Sequence, residues 1–341
     1  MKFLVTGGCG FIGSNYLHYV TKKYPNDYFV CLDALTYAGN YNNIKDLENM
    51  DNFKFVYGDI TNKEMLDDLF KKEKFDYIIN FAAESHVDNS IKNPFVFADT
   101  NIKGTLALMD TARKYGIRRF HQISTDEVYG DLPLDRKDLK FTEHNPLITS
   151  SPYSSSKAAA DLFVMAYYRT FSLPVTISRC SNNYGPYQFP EKLIPVVISK
   201  ALRNEKIPVY GNGLNVRDWV HVMDHAIGVD MVVRNGRDGE IYNLGGNSEK
   251  TNIEVVKTIL KEMGKSEDLI TFVKDRPGHD LRYAIDSSKA FNELGWSPTH
   301  DFKEGIKETV KWYLNNQEWI DNILSGEYQK DNDKVKISIV V

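Results

Sequence analysis

The sequence predicts an α/β fold, a doubly wound parallel sheet with helices on both faces, together with a smaller mixed α/β domain. Three observations favour this class. A glycine-rich turn, Gly7 to Gly13, directly follows the first apolar run. Short runs of β-branched and aromatic residues then alternate with amphipathic stretches through the first half of the chain. From Ser181 onward the pattern is less regular, which indicates shorter elements.

The predicted strands are short apolar runs. They begin at Lys2 and continue with Tyr28–Leu32, Phe53–Tyr57, Tyr77–Phe81, Arg119–Ile123 and Val175–Ser178, with a late strand at Glu240–Leu244. Amphipathic stretches at Glu64–Phe70 and Thr105–Tyr115 are expected to be helices that cover the sheet. In such a sheet ligands bind beyond the carboxyl ends of the strands. The residues that follow each strand are therefore the candidates for chemistry.

Composition sets limits on the function. A chain of 341 residues with 42% hydrophobic residues can form one large or two medium domains. A net charge of −4 with interspersed signs argues against nucleic acid or a membrane surface as a partner. Cys9, Cys31 and Cys180 form no CxxC pair and are expected to be buried thiols rather than metal ligands. Without a signal-like or membrane-spanning run, the expectation is a cytoplasmic protein with no metal.

The glycine turn predicts a dinucleotide site. Gly7 can form the turn, Gly10 lets a pyrophosphate approach the backbone, and Gly13 permits close contact between helix and strand. Asp33 follows Gly13 by twenty residues, at the end of the second strand. A carboxylate there binds the adenosine ribose and repels a 2′-phosphate, which favours NAD over NADP. The alternative is an ordinary glycine turn with Asp33 as a cap.

Further candidates follow the third and fourth strands. Asp59 is placed to meet the adenine amino group and Ile60 the adenine ring, although a simple turn aspartate explains Asp59 equally well. The small residues Ala82 and Ala83 would let the backbone pass close to the cofactor. His86 in the same stretch is explained as well by a structural hydrogen bond as by a ligand contact.

The fifth strand ends in Thr125, Asp126 and Glu127, and two adjacent carboxylates at a strand end are the chief acid and base candidates. Tyr153 and Lys157 lie one helical turn apart on a helix that a proline begins. The ammonium is expected to lower the pKa of the phenol, so that Tyr153 acts as a base toward a sugar hydroxyl. Thr125 is expected to donate a hydrogen bond to the same oxygen.

With these motifs the chain resembles the extended short-chain dehydrogenase/reductase superfamily, which carries a GxxGxxG turn and a YxxxK pair. Within it, Thr125-Asp126-Glu127 resembles the signature of nucleotide-sugar 4,6-dehydratases, most closely those that act on dTDP-glucose. The resemblance extends over nearly the whole chain and includes Leu32–Asn40, Ala82–Asp88, Ser178–Pro186, Arg217–Trp219 and Asp275–Asp280. Two departures are Cys9, where alanine is common, and the last dozen residues, which match no motif.

The resemblance implies a lyase reaction in three steps on dTDP-glucose. C4 is oxidised by NAD with Tyr153 as base, water is lost across C5 and C6 with Glu127 as base and Asp126 as acid, and the hydride returns to C6. The product is a 4-keto-6-deoxy sugar nucleotide of the kind used in deoxysugar biosynthesis. Mutual repulsion raises the pKa of one carboxyl of an adjacent pair, and the sequence does not identify which one.

The resemblance also implies two sets of contacts. The cofactor set comprises Gly7, Gly10, Phe11, Ile12, Gly13, Asp33, Ala34, Leu35, Thr36, Asp59, Ile60, Phe81, Ala82, Ala83, Ser85, Thr100, Tyr153, Lys157 and Asn183. The substrate set comprises Ser85, His86, Thr125, Asp126, Glu127, Asn182, Glu191, Lys192, Leu193, Pro208, Val209, Tyr210, Arg217, Asn252, Arg276 and His279. For any single arginine, a surface ion pair is the alternative.

The predicted organisation is a Rossmann-type NAD domain, residues 1–180 with about 216–245, and a nucleotide-sugar-binding domain, 181–215 and 246–325. The tail, 326–341, is expected to be disordered or to pair as an edge strand. The family implies a homodimer, with Leu106, Leu108, Leu162, Phe163 and Tyr167 as its apolar face, although packing within one subunit explains these residues nearly as well.

Three rival functions stay open at this stage. A UDP-glucose 4-epimerase shares the turn and the Tyr/Lys pair but needs no acid and base at C5 and C6. Dehydratases of GDP-mannose or CDP-glucose share the chemistry and differ in the nucleobase pocket. A non-catalytic NAD-sensing module would need neither the Tyr/Lys pair nor the acid pair.

Overall fold

Within residues 1–275 and 278–340, which the computed structural model describes, a seven-stranded parallel sheet forms the centre of the protein. Its strands are β1 (Lys2–Thr6), β2 (Tyr28–Asp33), β3 (Phe53–Tyr57), β4 (Tyr77–Asn80), β5 (Arg119–Thr125), β6 (Val175–Cys180) and β10 (Glu240–Leu244). Their order is β10-β6-β5-β4-β1-β2-β3. The order reverses between β1 and β4, and this is where a doubly wound sheet opens a crevice for a ligand.

The predicted strands are found with their ends within two residues of the expected positions. β5 and β6 run two residues further than predicted because pairing continues from Ser124 and Thr125 to Arg179 and Cys180. Ser124, Thr125 and Arg179 are polar, so they do not extend the apolar runs from which the strands were predicted. All four residues are nevertheless buried. The extension places Thr125 at the carboxyl edge of the sheet.

The helices follow the strands in the expected alternation. They are α1 (Phe11–Lys23), α2 (Lys63–Glu73), α3 (Val87–Lys92), α4 (Pro94–Phe97), α5 (Thr105–Tyr115), α6 (Pro152–Phe171), α7 (Leu193–Leu202), α8 (Val222–Asn235), α9 (Asn252–Glu262), α10 (Ser288–Leu294), α11 (Phe302–Asn315), α12 (Gln317–Ser325) and α13 (Glu327–Val340). A π-helical segment, Ala98–Gly104, leads into α5. The helix α6 begins at Pro152 with a capping box in which Ser151 and Ser154 exchange hydrogen bonds, which fixes its first turn.

Alternating side chains of the strands build a core on each face of the sheet. Phe3 and Val5 pack on one face with residues of α1 and α8, whereas Leu4 packs on the other face with residues of α2 and α5. Both clusters are fully covered, so the sheet is buried on both sides as the predicted class requires.

The smaller domain is built around two short sheets. One contains β7 (Asn182–Tyr184), β9 (Val216–His221) and β11 (Glu249–Thr251), and the other pairs β8 (Ile207–Tyr210) with β12 (Ile270–Val273). Because β9 belongs to the small sheet, the chain returns to the large sheet with α8 and β10 rather than at Val216.

The expectation for the tail is wrong. Glu327–Val340 forms the helix α13, in which Tyr328 and Asn332, one turn apart, are buried. A polar sequence with only one apolar run at its end gives little local signal for a helix, and the contacts that stabilise α13 are made with residues about 290 positions earlier in the chain.

Candidate active site

The glycine turn packs as tightly as its spacing predicts. Gly7 has φ +71°, and a Cβ on it would lie 2.5 Å from the backbone nitrogen of Ala82. A Cβ on Gly13 would lie 2.3 Å from the carbonyl oxygen of Gly7. At Gly10 the nearest atom would be 3.4 Å away, an ordinary contact, so packing within the protein does not require glycine there. All three glycines line one cavity. At Gly10 the absence of a side chain makes room for a bound ligand and is not required by packing within the protein.

Asp33 joins the glycine turn to the loop that follows β2. One carboxylate oxygen accepts the N–H of Cys9 at 2.9 Å, and the other accepts the N–H of Leu35 at 2.8 Å. Burial raises the pKa of Asp33, and these two backbone hydrogen bonds oppose that rise. Each oxygen keeps a lone pair for a ribose hydroxyl. The side chain of Leu35 lies in the core and is not among the residues that line the cavity, so its contact with the cofactor stays a prediction.

The adenosine side of the cavity contains the residues expected from the sequence. Asp59 accepts hydrogen bonds from the N–H and the hydroxyl of Thr61, both at 2.8 Å, which orients its carboxylate. The other predicted cofactor residues that line the cavity are Phe11, Ile12, Ala34, Thr36, Ile60, Phe81, Ala82, Ala83, Ser85, Thr100, Tyr153, Lys157 and Asn183. A nucleotide cofactor therefore fits the cavity from the glycine turn to the ends of β4 and β6.

His86 takes the structural role that the sequence left open. It is the N-cap of α3, and its Nδ1 accepts the N–H of Asn89 at 3.3 Å. Its Nε2 lies 3.8 Å from a carboxylate oxygen of Glu191, which does line the cavity. His86 itself is not among the lining residues.

The acid pair opens a 3-10 turn at the end of β5. Thr125 caps this turn by accepting the N–H of Glu127 at 3.2 Å, and its hydroxyl donates to Asp126 at 3.3 Å. The second carboxylate oxygen of Asp126 is buried and has no hydrogen-bond partner within residues 1–275 and 278–340. Burial, followed by the charges of Glu127 and Asp218, raises the pKa of Asp126 well above its ordinary value. Of the two acids, Asp126 is therefore the one that the structure favours as protonated.

Tyr153 and Lys157 lie on α6 and line the same cavity, but the expected electrostatics are not found. Burial raises the pKa of Tyr153, and the charges of Glu127, Cys180 and Asp126 raise it further, whereas a hydrogen bond with Thr125 lowers it. Lys157 donates to the carbonyl of Ile123 at 2.6 Å, and burial lowers its pKa. In the protein without cofactor, burial and nearby negative charges therefore keep the pKa of the phenol raised, and the effect of Lys157 on it stays a prediction.

Several predicted substrate residues reach the cavity from the second half of the chain. Asn182, Glu191 and Lys192 line it, and Lys192 donates to the carbonyl of Ser85 at 3.1 Å. The amide oxygen of Asn182 is buried without a hydrogen-bond partner in the described chain, as expected for a group that receives a ligand. Leu193 begins α7 and packs against the apolar core of the smaller domain.

Arg217 lies close to the acid pair without lining the cavity. Its guanidinium stacks over the ring of Tyr283 at 4.3 Å and donates to the carbonyl of Asp280 at 2.9 Å. Its charge is one of the influences that lower the pKa of Asp126. Arg217 is only 6% exposed, so the surface ion pair considered from the sequence is excluded.

The remaining predicted substrate residues form a more distant group. The rings of Tyr210 and His279 meet edge to face at 6.4 Å, and Nδ1 of His279 lies 2.7 Å from Asp275. Pro208, Tyr210, Asn252 and His279 do not line the cavity around the acid pair. The side chain of Val209 is buried in the apolar core, and its contact with the substrate stays a prediction. Arg276 lies outside the described residues.

Sequence reasoning missed several residues of the cavity. Tyr37 donates to Glu191 at 3.2 Å and so links the loop after β2 to the smaller domain. Burial and the charge of Glu191 raise the pKa of Glu84. The other missed lining residues are Leu32, Ala38, Gly39, Gly58, Ile123, Ser124, Cys180, Ser181, Gln188 and Phe189. Tyr37 and Glu84 lie inside motifs used for the resemblance, so this signal was present but not followed to each residue.

One group of side chains in the described part of the chain has the residue types of a metal site. In the described part of the chain, His221, His300 and Glu308 bring their ligand atoms within 4.8 Å of one another. The two imidazole rings are stacked, however, at 4.1 Å and 23°, so their lone pairs run side by side rather than converge on an ion. Among the described helices, none is long and apolar enough to cross a membrane.

Comparison with known proteins adds an independent line of observation. The family model for GDP-mannose 4,6 dehydratase matches residues 4–309. The dTDP-glucose 4,6-dehydratase of Xanthomonas campestris pv. campestris (strain B100) is 50% identical over 345 residues, which cover 96% of this chain and 97% of that protein.

Two solved structures are similar over nearly their whole length. The dTDP-glucose 4,6-dehydratase of Bacillus anthracis in complex with NAD has a TM-score of 0.88 and 50% identity, covering 95% of this chain and 99% of that one. The dTDP-glucose 4,6-dehydratase of Streptomyces venezuelae with NAD and TYD bound has a TM-score of 0.91 and 44% identity, covering 95% and 100%.

Proposed function

Because this chain belongs to the GDP-mannose 4,6-dehydratase family, we propose that it converts dTDP-glucose to dTDP-4-keto-6-deoxyglucose and water, with NAD as its cofactor. The observation that carries the proposal is the state of Asp126. A buried carboxyl with a raised pKa and an unpaired oxygen, next to Glu127 and Tyr153, provides an acid for expelling a hydroxyl. A 4-epimerase needs no such acid.

When bound, NAD takes a hydride from C4 of the sugar and returns it to C6. Gly7, Gly10 and Gly13 hold its pyrophosphate against the start of α1, and Asp33 binds the adenosine ribose. The carboxylate of Asp33 disfavours a 2′-phosphate. Lys157, anchored to the carbonyl of Ile123, brings a positive charge to the cavity.

Oxidation at C4 requires a base for the C4 hydroxyl. Tyr153 is the candidate because it lines the cavity beside Thr125, whose hydroxyl lowers the pKa of the phenol. In the protein without cofactor the pKa of Tyr153 is raised. The phenol therefore ionises readily, and becomes able to accept the C4 proton, only when positive charge is present at the site. Bound NAD⁺ would place such a charge at the site, so Tyr153 would act as a base only with the cofactor in place.

The ketone at C4 acidifies the hydrogen at C5, and elimination then needs one base and one acid. Glu127 takes the C5 proton, and Asp126 gives its proton to the departing C6 hydroxyl, which leaves as water. When the hydride reaches C6, Glu127 returns a proton to C5, and the proton that Tyr153 took from the C4 hydroxyl balances the one that Asp126 gave up. Adjacent acids serve opposite roles here because burial holds the proton on Asp126. Asn182 and Lys192 are the proposed contacts that hold the sugar nucleotide across the cavity.

A substrate panel tests the proposal. We expect purified protein to turn over dTDP-glucose, detected by the alkali-induced absorbance of a keto sugar, in preference to UDP-, GDP- and CDP-hexoses. In D2O the product should carry deuterium at C5, because the C5 proton is exchanged during elimination. An epimerised product without deuterium would favour the epimerase instead. If no sugar nucleotide is turned over while NAD still binds, a non-catalytic NAD-binding module is favoured.

The proposal includes a cytoplasmic location, which the burial of all three free cysteines supports. It also includes a homodimer formed through α5 and α6. On α6, Leu162 is 63% exposed and Phe163 is 40% exposed, an apolar surface that a second copy would cover. Leu108, by contrast, is fully buried in the core, so its assignment to the interface is wrong. Leu106 and Tyr167 pack beside that core and are partly buried.

Sedimentation tests the dimer. We expect the parent protein to sediment as a dimer and Leu162→Glu to sediment as a monomer, because a charge placed in a buried apolar interface is costly. Phe291→Glu changes an equally exposed apolar residue on α10 and should leave the dimer intact. A monomeric parent, or a variant at Leu162 that still dimerises, would contradict this assignment.

A further inference from the structure

The last two helices, α12 and α13, pack against the segment that borders the adenosine side of the cavity. Both lie beyond residue 309, where the match to the family model ends. The segment they contact runs from Tyr37 to Asn43, after β2. Its first residues, Tyr37, Ala38 and Gly39, line the cavity. The C-terminus of the chain is therefore in contact with one wall of the proposed cofactor site.

Asn332 on α13 holds this segment from two sides. Its amide nitrogen donates to the carbonyl of Gly39 at 2.7 Å, and its amide oxygen accepts the N–H of Tyr41 at 3.0 Å. Asn332 is only 2% exposed, so both bonds are shielded from water. One turn earlier, the hydroxyl of Tyr328 donates to the carbonyl of Tyr37 at 2.6 Å. These side chains satisfy backbone groups that no strand or helix satisfies.

A second connection runs from α12 to the glycine turn. The indole nitrogen of Trp319 donates to the side-chain oxygen of Asn43 at 2.8 Å. The side-chain nitrogen of Asn43 donates in turn to the carbonyl of Cys9 at 3.0 Å, and the N–H of Asn40 donates to the same carbonyl at 3.0 Å. Since the N–H of Cys9 is held by Asp33, both backbone groups of this residue in the glycine turn are fixed.

We propose that Trp319, Tyr328 and Asn332, here named the C-terminal clamp, are positioning residues for NAD. They keep the Tyr37–Asn43 segment and the glycine turn in the arrangement that binds the dinucleotide. The apparent affinity of a ligand falls in proportion to the fraction of protein in the competent arrangement. The clamp therefore sets how tightly and for how long NAD is retained. The inference rests on the NAD site of the proposed function and not on the sugar substrate.

Asn332→Ala tests the clamp by removing both hydrogen bonds. We expect the dissociation constant for NAD, measured by titration calorimetry on protein stripped of nucleotide, to rise about tenfold or more, and NAD to dissociate faster. We expect kcat at saturating NAD to stay near that of the parent. Asn332→Asp keeps the acceptor for Tyr41 but sets a carboxylate oxygen against the carbonyl of Gly39 in a buried site, so its affinity should fall at least as far as that of Asn332→Ala. Asp333→Ala, an exposed neighbour on α13, is the control and should change nothing.

Trp319→Phe provides a second variant in case Asn332→Ala folds poorly. It removes the indole N–H and leaves the aromatic packing against Trp312, and it should also weaken NAD binding. Parent affinity and parent dissociation rate in both variants would overturn the proposal. So would a loss of kcat that persists at saturating NAD, because the residues would then act on the fold or on the chemistry. NAD binding is measured without turnover, so a failure of the proposed reaction would be seen separately.

Discussion

Asp126→Asn and Glu127→Gln are each expected to lower the rate of water loss by about 10²–10⁴-fold while oxidation at C4 survives. The asparagine amide introduced by the first change occupies the same buried position but has no acidic proton to give to the departing hydroxyl. The glutamine amide introduced by the second change has no basic oxygen for the C5 proton. Neither change removes Tyr153, so the first step keeps its base.

Rapid mixing with dTDP-glucose separates the two steps. NADH absorbance should rise and persist in both variants, whereas keto-sugar formation should be slow. Asp135→Asn alters an exposed acid of the loop that follows and is the matched control, with parent rates expected for both steps. An unchanged dehydration rate in either site variant would end the assignment of the acid and the base.

The raised pKa of Asp126 also predicts how the stability of the folded protein changes with pH. Folding raises this pKa, so the folded protein binds the proton more tightly than the unfolded chain does. Stability is therefore lost as pH rises from the unfolded pKa to the folded pKa, and the loss stays complete above it. Asp126→Asn removes that cost, so its thermal midpoint at pH 8 should equal or exceed the parent's. A lower midpoint would indicate damage to the fold rather than to catalysis.

The architecture could be predicted because its signals are local. The apolar runs that became β1 to β6 and the glycines before α1 carry their geometry in a few adjacent residues. Residues at the carboxyl ends of six strands, β1 to β6, line the cavity, as expected from the rule that ligands bind at the carboxyl edge of a parallel sheet. The position of the acid pair next to Tyr153 could be predicted from the order of the strands and the resemblance together.

Long-range contacts account for what could not be predicted. The resemblance assigned Leu35 to the cofactor, and the packing of its side chain in a core cluster with residues of α1 and α8 was not foreseen. The helix α13 depends on Asn332 meeting Gly39, 293 positions away. The pKa of Tyr153 was expected from one neighbour on its own helix, whereas burial and the charges of the turn after β5 and of Cys180 on β6 raise it. In each case a distant part of the chain decides the outcome.

Tyr153→Phe is expected to lower C4 oxidation by about 10²–10⁴-fold, and with it every later step. The phenyl ring keeps the packing of α6 against Phe97 but cannot accept the proton of the C4 hydroxyl. In contrast to the acid-pair variants, no NADH should accumulate after mixing with dTDP-glucose. Tyr168→Phe removes a hydroxyl from a half-exposed tyrosine on the same helix and should retain parent kinetics.

Lys157→Met tests whether the positive charge of Lys157 controls the ionisation of Tyr153. If the positive charge at the site is what releases the proton of Tyr153, its loss should lower C4 oxidation and move the rising limb of the pH profile to higher pH. The sign follows because a phenol without a nearby cation needs a higher pH to ionise. Tyr153→Phe should show no such limb at all. A profile that stays in place in Lys157→Met, with NAD still bound, would show that the charge on Lys157 does not control the ionisation of Tyr153.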